Sequence, residues 1–252
     1  METQFSRTEL LLGTAAIQKL QNSHIIVFGV GGVGGYVVEV LARSGVGQID
    51  IVDDDYVTIS NINRQIIATH STIGKAKVDV CKARIYDINP HCIVKTFKTF
   101  YLPEKSTQFD FAKYDYVVDC IDTVTAKIDI ITRCYNLDTP IISSMGAAFK
   151  LDATQLQVTD LFKTKNDPIA KILRKKLHKT NVHKLKVVYS SELPHKSIEN
   201  TNISSIDADK TLDELSGTTH KKRYIPASNA WVPAATGLII GSEVIKDIIY
   251  KE

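Results

Sequence analysis

Between His24 and Asp55 the chain reads apolar strand, glycine turn, helix, apolar strand and acidic cluster, an order that few folds accommodate. Ile25-Ile26-Val27-Phe28 is a short unbroken apolar run, the pattern of a strand buried on both faces. Gly29, Gly31 and Gly34 follow it as G-x-G-x-x-G. Such glycines allow a tight turn and a close approach of backbone to phosphate, and the helix behind them aims unpaired N–H groups at the anion. Ile49-Asp50-Ile51-Val52 reads as a second strand. Asp53 at its end lies 19 residues past Gly34, where an acid is placed to hold ribose hydroxyls. Alone, this fingerprint favours NAD over ATP and an NAD-dependent oxidoreductase. Asn61, Arg64 and Gln65 reverse that preference. Hydride transfer has no evident need for a guanidinium and an amide just beyond the ribose acid, whereas a site that neutralises charge at the α-phosphate of a triphosphate does.

Downstream, strands and helices keep alternating. The spacing predicts one helix over residues 8–21, with Leu10, Leu11, Leu12, Ala15, Ile17 and Leu20 as its apolar set. It predicts a helix after the glycine turn to about Ser44, and another through Ile88 that Asn89-Pro90 ends. Strands are expected at Ile93–Phe97, Tyr116–Val118 and Pro140–Ser144, with a helix from Val124 to Asn136 between the last two. The fold class is therefore α/β, a Rossmann-like, doubly wound, mostly parallel sheet. Ligands of such sheets bind beyond the carboxyl ends of the strands. Asp53, Asp122 and Ser143 all fall there.

Past Gly146 the character changes. Leu156-Gln157-Val158 suggests an extra strand. Residues 163–186 hold nine Lys+Arg against one acid, Asp167. Pro168, with Ile169, Ile172, Leu173 and Leu177 at helical spacing, marks an amphipathic helix inside this basic insertion. Residues 194–222 are polar and read as a mobile loop, closed by the basic His220-Lys221-Lys222-Arg223. A last helix is expected over 236–250. The organisation that follows is an ATP-binding core over 1–160, a basic insertion and mobile loop over 161–226, and a helix over 227–252 packing back on the core.

The chain has 252 residues and a net charge of +3. Residues 1–150 carry −1 and residues 151–252 carry +4, so the basic excess belongs to the second part. No basic-then-apolar leader and no apolar run of about 20 residues is present, which predicts a cytoplasmic protein with no membrane span. The four cysteines, 81, 92, 120 and 134, include no C-x-x-C pair, so neither a disulfide framework nor a structural zinc is expected.

Arg7, the glycine turn, Asp53, Asn61, Arg64, Gln65, Lys77 and Asp122, strung along D-x-D-x-V-x-x-S-N-x-x-R-Q, G-K-x-K and D-C-x-D, resemble the adenylation site of the ubiquitin-activating E1-like family. The resemblance implies ATP and Mg²⁺ as cofactors and attack of a carboxylate on the α-phosphate, giving an acyl adenylate and pyrophosphate. It implies that Asp53 binds ribose, that Gly29, Gly31, Gly34, Asn61 and Gln65 line the ATP site, and that Arg64 and Lys77 bind phosphate oxygens. Asp122 then holds Mg²⁺, and Arg7 reaches the phosphates of a partner subunit in a homodimer. Physical chemistry agrees with such a set: two anions must be brought together, which needs cations, and Arg and Lys offer a planar fork and a point charge.

Departures within the family narrow the branch. Sulfur-carrier activators usually have two C-x-x-C pairs, and thioester-forming members need a downstream cysteine; here no cysteine follows Cys134. The opening Phe5-Ser6-Arg7-Thr8-Glu9-Leu10, the run Ser143-Ser144-Met145-Gly146-Ala147-Ala148, Asp167-Pro168-Ile169-Ala170-Lys171 and Lys186-Val187-Val188-Tyr189-Ser190-Ser191-Glu192 resemble the tRNA threonylcarbamoyladenosine dehydratase branch. That resemblance implies an AMP-forming, ligase-like enzyme that activates the threonyl carboxylate of a modified adenosine at position 37, next to the anticodon, and lets the side chain close on itself. A catalytic cysteine is then not needed. Ala227-Ser228-Asn229-Ala230-Trp231 occupies the place where some members carry one. The partner implied is tRNA, gripped at its backbone by Lys171, Arg174, Lys175, Lys176 and Lys179. By family analogy, a sulfur-transfer or cysteine desulfurase system is a further candidate partner. The rival readings are an E1-like adenylyltransferase and sulfurtransferase serving a ubiquitin-like sulfur carrier, the NAD-dependent oxidoreductase, and a non-catalytic RNA-binding module.

Overall fold

The computed structural model describes residues 2–195 and 226–250. Seven strands form one sheet: β1 (His24–Phe28), β2 (Gln48–Val52), β3 (Ile93–Phe97), β4 (Tyr116–Asp119), β5 (Ile141–Ser144), β6 (Leu156–Asp160) and β7 (Lys186–Ser190). Their order is β3-β2-β1-β4-β5-β7-β6, with every neighbouring pair parallel except β6–β7. The chain thus winds outward from β1 to β3, returns to the other side of β1 as β4, and continues outward. The reversal leaves a crevice between the carboxyl ends of β1 and β4, the place where doubly wound sheets bind ligands.

Both faces of the sheet are covered, which is why Ile25, Ile26, Val27 and Phe28 are all fully buried. On one face lie α2 (Thr14–Gln21), α3 (Gly34–Arg43), α4 (Lys77–Ile88) and α7 (Trp231–Tyr250), with Leu20, Val37, Leu41, Cys81, Ile85, Ile240 and Val244 packed on Ile25, Val27, Ile49 and Ile51. On the other, α5 (Val124–Asn136) and an aromatic cluster of Tyr101, Phe109 and Phe111 enclose Phe28 and Val117. The same face continues with α6 (Pro168–Leu177), whose Leu173 and Leu177 pack with Ile131 and Val187.

Several elements differ from expectation. The helix predicted over 8–21 is two, α1 (Ser6–Leu12) and α2, because Gly13 at φ 86° breaks it. Leu10 and Leu11, expected in an apolar stripe, are 88% and 81% exposed. Lys186–Ser190, anticipated only as a motif, is an internal strand separating β5 from β6, so the basic segment contributes to the central sheet. The last helix begins at Trp231, five residues before the predicted start, because the Asn229 side chain accepts from the N–H groups of Trp231 (3.2 Å) and Val232 (2.9 Å) and caps it. Beyond Pro194 and His195, the mobile loop expected over 194–222 and the basic cluster at His220–Arg223 lie outside the described residues. Among the described residues no helix is long and apolar enough to cross a membrane.

Candidate active site

The glycine turn leaves β1 directly into the switch-point crevice. Gly29 has φ 82°, and a Cβ there would lie 2.9 Å from the Cys120 carbonyl oxygen. A Cβ on Gly34 would lie 1.8 Å from the Gly29 carbonyl oxygen, so only glycine lets α3 start this close to the strand it follows. Gly31 is different: ordinary space surrounds it, and its nearest neighbour is the Gln65 amide at 3.7 Å from the Cβ position.

Asp53, one residue past β2, is fixed against this turn. Its carboxylate accepts from Val30 N at 2.9 Å and from Asp55 N at 3.0 Å. Burial pushes its carboxyl above the usual range, opposed by the Lys77 charge and by those two N–H groups. Lys77, at the start of α4, is buried except for its reach to Asp55 Oδ2 at 2.7 Å, on a carboxylate that is itself largely exposed. Asp53, Asp54 and Asp55 have carboxylate oxygens within 4.8 Å of one another. Asp53 and Asp55 are already engaged by these donors.

The Ser60–Gln65 segment closes the third side. Asn61 is buried, and its Oδ1 accepts from Thr58 N (3.2 Å), while its carbonyl receives Arg64 N and Gln65 N. It therefore shapes the loop that carries the other two. The Arg64 stem lies 3.4 Å from the Gly32 Cβ position, and its guanidinium donates to Ser60 O (3.0 Å) and Asn63 Oδ1 (2.9 Å). Gln65 Oε1 is buried with no hydrogen-bond partner among the described residues, on the side chain whose amide nitrogen lines the turn at Gly31. A buried acceptor left unpaired costs free energy that a ligand donor at this point would return.

Asp122 sits in the loop after β4, across the crevice from Asp53. Its carboxylate is exposed, and its one hydrogen bond among the described residues is a 3.5 Å contact from the Thr123 hydroxyl. An exposed carboxylate with open lone pairs is the kind of ligand that Mg²⁺ takes. The loop is anchored from beneath by a network that sequence reasoning missed. Lys127, 1% exposed, donates from Nζ to Asp119 Oδ2 (3.0 Å), Ser143 Oγ (3.2 Å) and Ser144 O (2.7 Å), and Ser143 donates to Asp119 at 2.6 Å. Ser143, expected at the ligand-facing strand ends, is thus a buried brace, and Asp119 is a structural acid. No local signal marks Lys127, because a lysine on an amphipathic helix reads as solvent-facing.

Two further buried groups lie beyond β5 and β7. Lys150, 2% exposed, donates to Glu192 O, and burial lowers its pKa against the pull of Asp167 and Glu192. Burial raises the pKa of Asp167, which caps α6 through Ala170 N (2.8 Å) and holds Gly146 N (3.1 Å). The segment before α7 ties this region to the Arg64 loop: Asn229 donates to Lys150 O at 2.7 Å, and Asn63 donates to Ser228 O at 3.2 Å.

Arg7 lies on the exposed surface of α1, and none of the described hydrogen bonds ties it to the crevice of its own chain. On α6, Lys171, Lys175 and Lys176 are exposed, as is Lys179 just past its end, but Arg174 turns inward and donates to Thr164 O (3.1 Å) and to its hydroxyl. Lys186 is likewise taken up by Asp247 (2.7 Å) and Glu243 (3.2 Å) of α7. Burial pushes Cys81 up to about 12 and Cys92 to about 11, and raises Cys120 and Cys134 further.

Comparison with known proteins finds relatives over nearly the whole chain. The model of the ThiF family matches residues 5–251. The tRNA threonylcarbamoyladenosine dehydratase of Bacillus subtilis is 46% identical over 247 residues, which cover 98% of this chain and 94% of the relative. Solved structures of the Escherichia coli tRNA N6-threonylcarbamoyladenosine dehydratase, TcdA, in complex with AMP and with ATP superpose with TM-scores of 0.84 and 0.83 at 32% identity, covering 98% of this chain and 94% of theirs. A match that runs from α1 to the end of α7, and is not confined to the nucleotide crevice, shows that this chain belongs to the ThiF family.

Proposed function

We propose that this protein is an ATP-dependent tRNA threonylcarbamoyladenosine dehydratase. It activates the threonyl carboxylate of the modified adenosine at position 37 as an acyl adenylate, with release of pyrophosphate. The side chain then closes on itself and expels AMP. The carrying observation is the similarity to the B. subtilis dehydratase over 98% of the chain, which includes the basic segment and the last helix as well as the ATP site. A sulfur-carrier activator shares the ATP chemistry, but this chain lacks the two C-x-x-C pairs usual in that branch, its four cysteines standing at 81, 92, 120 and 134, and it carries the basic segment instead.

In this reading Asp53 accepts the ribose hydroxyls, and Gly29, Gly31, Gly34 and Gln65 line the phosphates. Asn61 holds the loop, and Arg64 contacts the α-phosphate. Lys77 exchanges Asp55 for a phosphate oxygen, a move made easy by the solvent around Asp55. Asp122 holds Mg²⁺, which when bound neutralises phosphate charge. Arg7, exposed on α1, acts in the site of a second copy in a homodimer. Residues 161–226 form the tRNA-contacting part, and the enzyme works in the cytoplasm. The sulfur-transfer partner suggested by family analogy gains no support from the buried thiols. The deciding assay is AMP release from ATP with tRNA from cells lacking the cyclic modification. Its absence, under conditions where the protein binds ATP, would overturn the proposal.

Asp53, with its raised pKa, is expected to lose ribose affinity on acidification at a higher pH than an ordinary carboxylate, because the folded protein binds the proton more tightly than the free side chain. The same shift means that ionised Asp53 opposes folding at neutral pH, a penalty relieved as pH falls through the folded pKa. ATP binding measured calorimetrically from neutral to mildly acidic pH should weaken more steeply in the wild type than in Asp53→Asn, the titration of ATP being common to both. Parallel curves would remove Asp53 from the ribose.

If Lys175, Lys176 and Lys179 meet tRNA phosphates, changing all three to Ala should flatten the log–log salt slope of binding by about 0.7–0.9 for each phosphate no longer neutralised. ATP affinity should hold. Arg174→Ala should instead lower stability, since its guanidinium serves Thr164. A slope unchanged in the triple variant would mean a solvated face.

A further inference from the structure

Trp231 is the single tryptophan of the chain and opens α7. It is 52% exposed, yet its position is fixed at both ends. The indole N–H donates to Leu151 O at 2.7 Å, and its backbone N–H is capped by Asn229 Oδ1 at 3.2 Å. The indole N–H is therefore satisfied by the protein's own backbone, which leaves the ring as the group a ligand would meet. Leu151, the residue it grips, is itself 54% exposed, and Leu193 beside Glu192 is exposed as well. Leu151 N donates to the Glu192 carboxylate at 3.0 Å, so the three exposed apolar side chains come from segments tied into one rim. That rim borders the nucleotide crevice. Two residues into α7, Pro233 lies 3.3 Å from the Gly32 Cβ position, and three residues before Trp231 the Ser228 carbonyl receives Asn63, next to Arg64.

An exposed aromatic ring normally loses rotamer freedom when it binds something. This ring has lost part of it already, and a preorganised π-face is what an unstacked nucleobase selects. We propose that Trp231 is a stacking platform for one unpaired base of the RNA substrate, at the rim of the site where the adenylate forms. This rests on the reading of the protein as a tRNA-modifying enzyme and adds to it a base subsite on α7, separate from the lysines of α6. A base stacked here is held out of the anticodon-loop stack and kept beside Arg64.

Because the chain has one tryptophan, its fluorescence reports this ring alone. The full-length protein is titrated with the uncyclised tRNA, with the same tRNA made abasic at the modified position or at either neighbour, and with ATP–Mg²⁺ alone. Quenching by tRNA, lost with one of the abasic forms and not produced by ATP, is the expected result, and the silent abasic form identifies the base. Trp231→Ala should raise the apparent KM for tRNA about 5- to 100-fold, the loss typical of one stacked base, with the KM for ATP unchanged. Trp231→Phe, which keeps a ring and loses only the indole bond, should recover most of it. Equal impairment of both variants would make the residue a structural anchor and overturn the proposal. So would quenching by ATP alone, or a Trp231→Ala protein altered only in oligomeric state. Quenching by tRNA in a protein that releases no AMP would leave the subsite standing and refute the dehydratase reading instead.

Discussion

Lys127→Met is expected to lower stability by about 3–5 kcal/mol, the cost of stripping one partner from a buried ion pair. Lys127 and Asp119 are 1% and 0% exposed, and the lysine is the shared donor for Asp119, Ser143 and Ser144. Removing it leaves a carboxylate in a dry interior with only the Ser143 hydroxyl and the Ile121 N–H at 3.3 Å to compensate. For a chain of this size each kcal/mol moves Tm by about 2–4 °C, so a fall on the order of 10 °C follows. Lys127→Met combined with Asp119→Asn removes both charges, and the amide keeps an acceptor for Ile121 and gains a donor toward Ser143. More than half of the loss should return. Urea unfolding of the wild type and the two variants measures it, and a Lys127→Met protein within about 1 kcal/mol of wild type would show that water or relaxation solvates Asp119. The functional consequence runs through the same loop: Cys120 lies against Gly29 and Asp122 follows, so loss of this brace loosens two sides of the crevice at once.

The sheet was legible because its strands speak locally. Ile25–Phe28 and Tyr116–Val118 are apolar on both faces, and the glycines, Asp53 and the Asn61–Gln65 run stand at fixed offsets from them. What stayed hidden depends on partners far away in the chain. Lys127 is decided by Asp119, Ser143 and Ser144. Arg174 reads as one more cation of a basic run until Thr164 claims it, and Lys186 until α7 supplies Asp247. Val187-Val188-Tyr189 is short and flanked by lysine, so nothing local places it between β5 and β6. The early start of α7 was readable, since Asn229 just ahead of the apolar Trp231-Val232 is a residue type that caps helix N-termini. The break at Gly13 was not, because a regular apolar spacing continues across it.

Asp122→Asn is expected to reduce AMP formation by about two orders of magnitude or more, the scale seen when one preorganised group facing developing charge is removed. The structure separates this effect from folding. The side chain is exposed, with only the Thr123 hydroxyl at 3.5 Å, so the substitution should change stability by no more than about 0.5 kcal/mol. Arg64→Ala should cost at least about tenfold, a charge-assisted contact being worth roughly 1.5–3 kcal/mol. Arg7 tests the assembly. It is exposed on α1, no described hydrogen bond ties it to its own crevice, and the same helix exposes Leu10 and Leu11, which are too apolar to face water at no cost. If α1 lies on a second copy, Arg7→Ala and Asp122→Asn damage opposite halves of one composite site. Mixing the two inactive proteins then regenerates hybrid dimers with one site intact, and up to about a quarter of wild-type activity should return, since random exchange makes half of the dimers hybrid. No recovery after demonstrated subunit exchange would confine Arg7 to its own chain. Near-normal turnover by Asp122→Asn would move the metal to the Asp53–Asp55 cluster, where Asp54 is the carboxylate with neither Lys77 nor the glycine turn upon it.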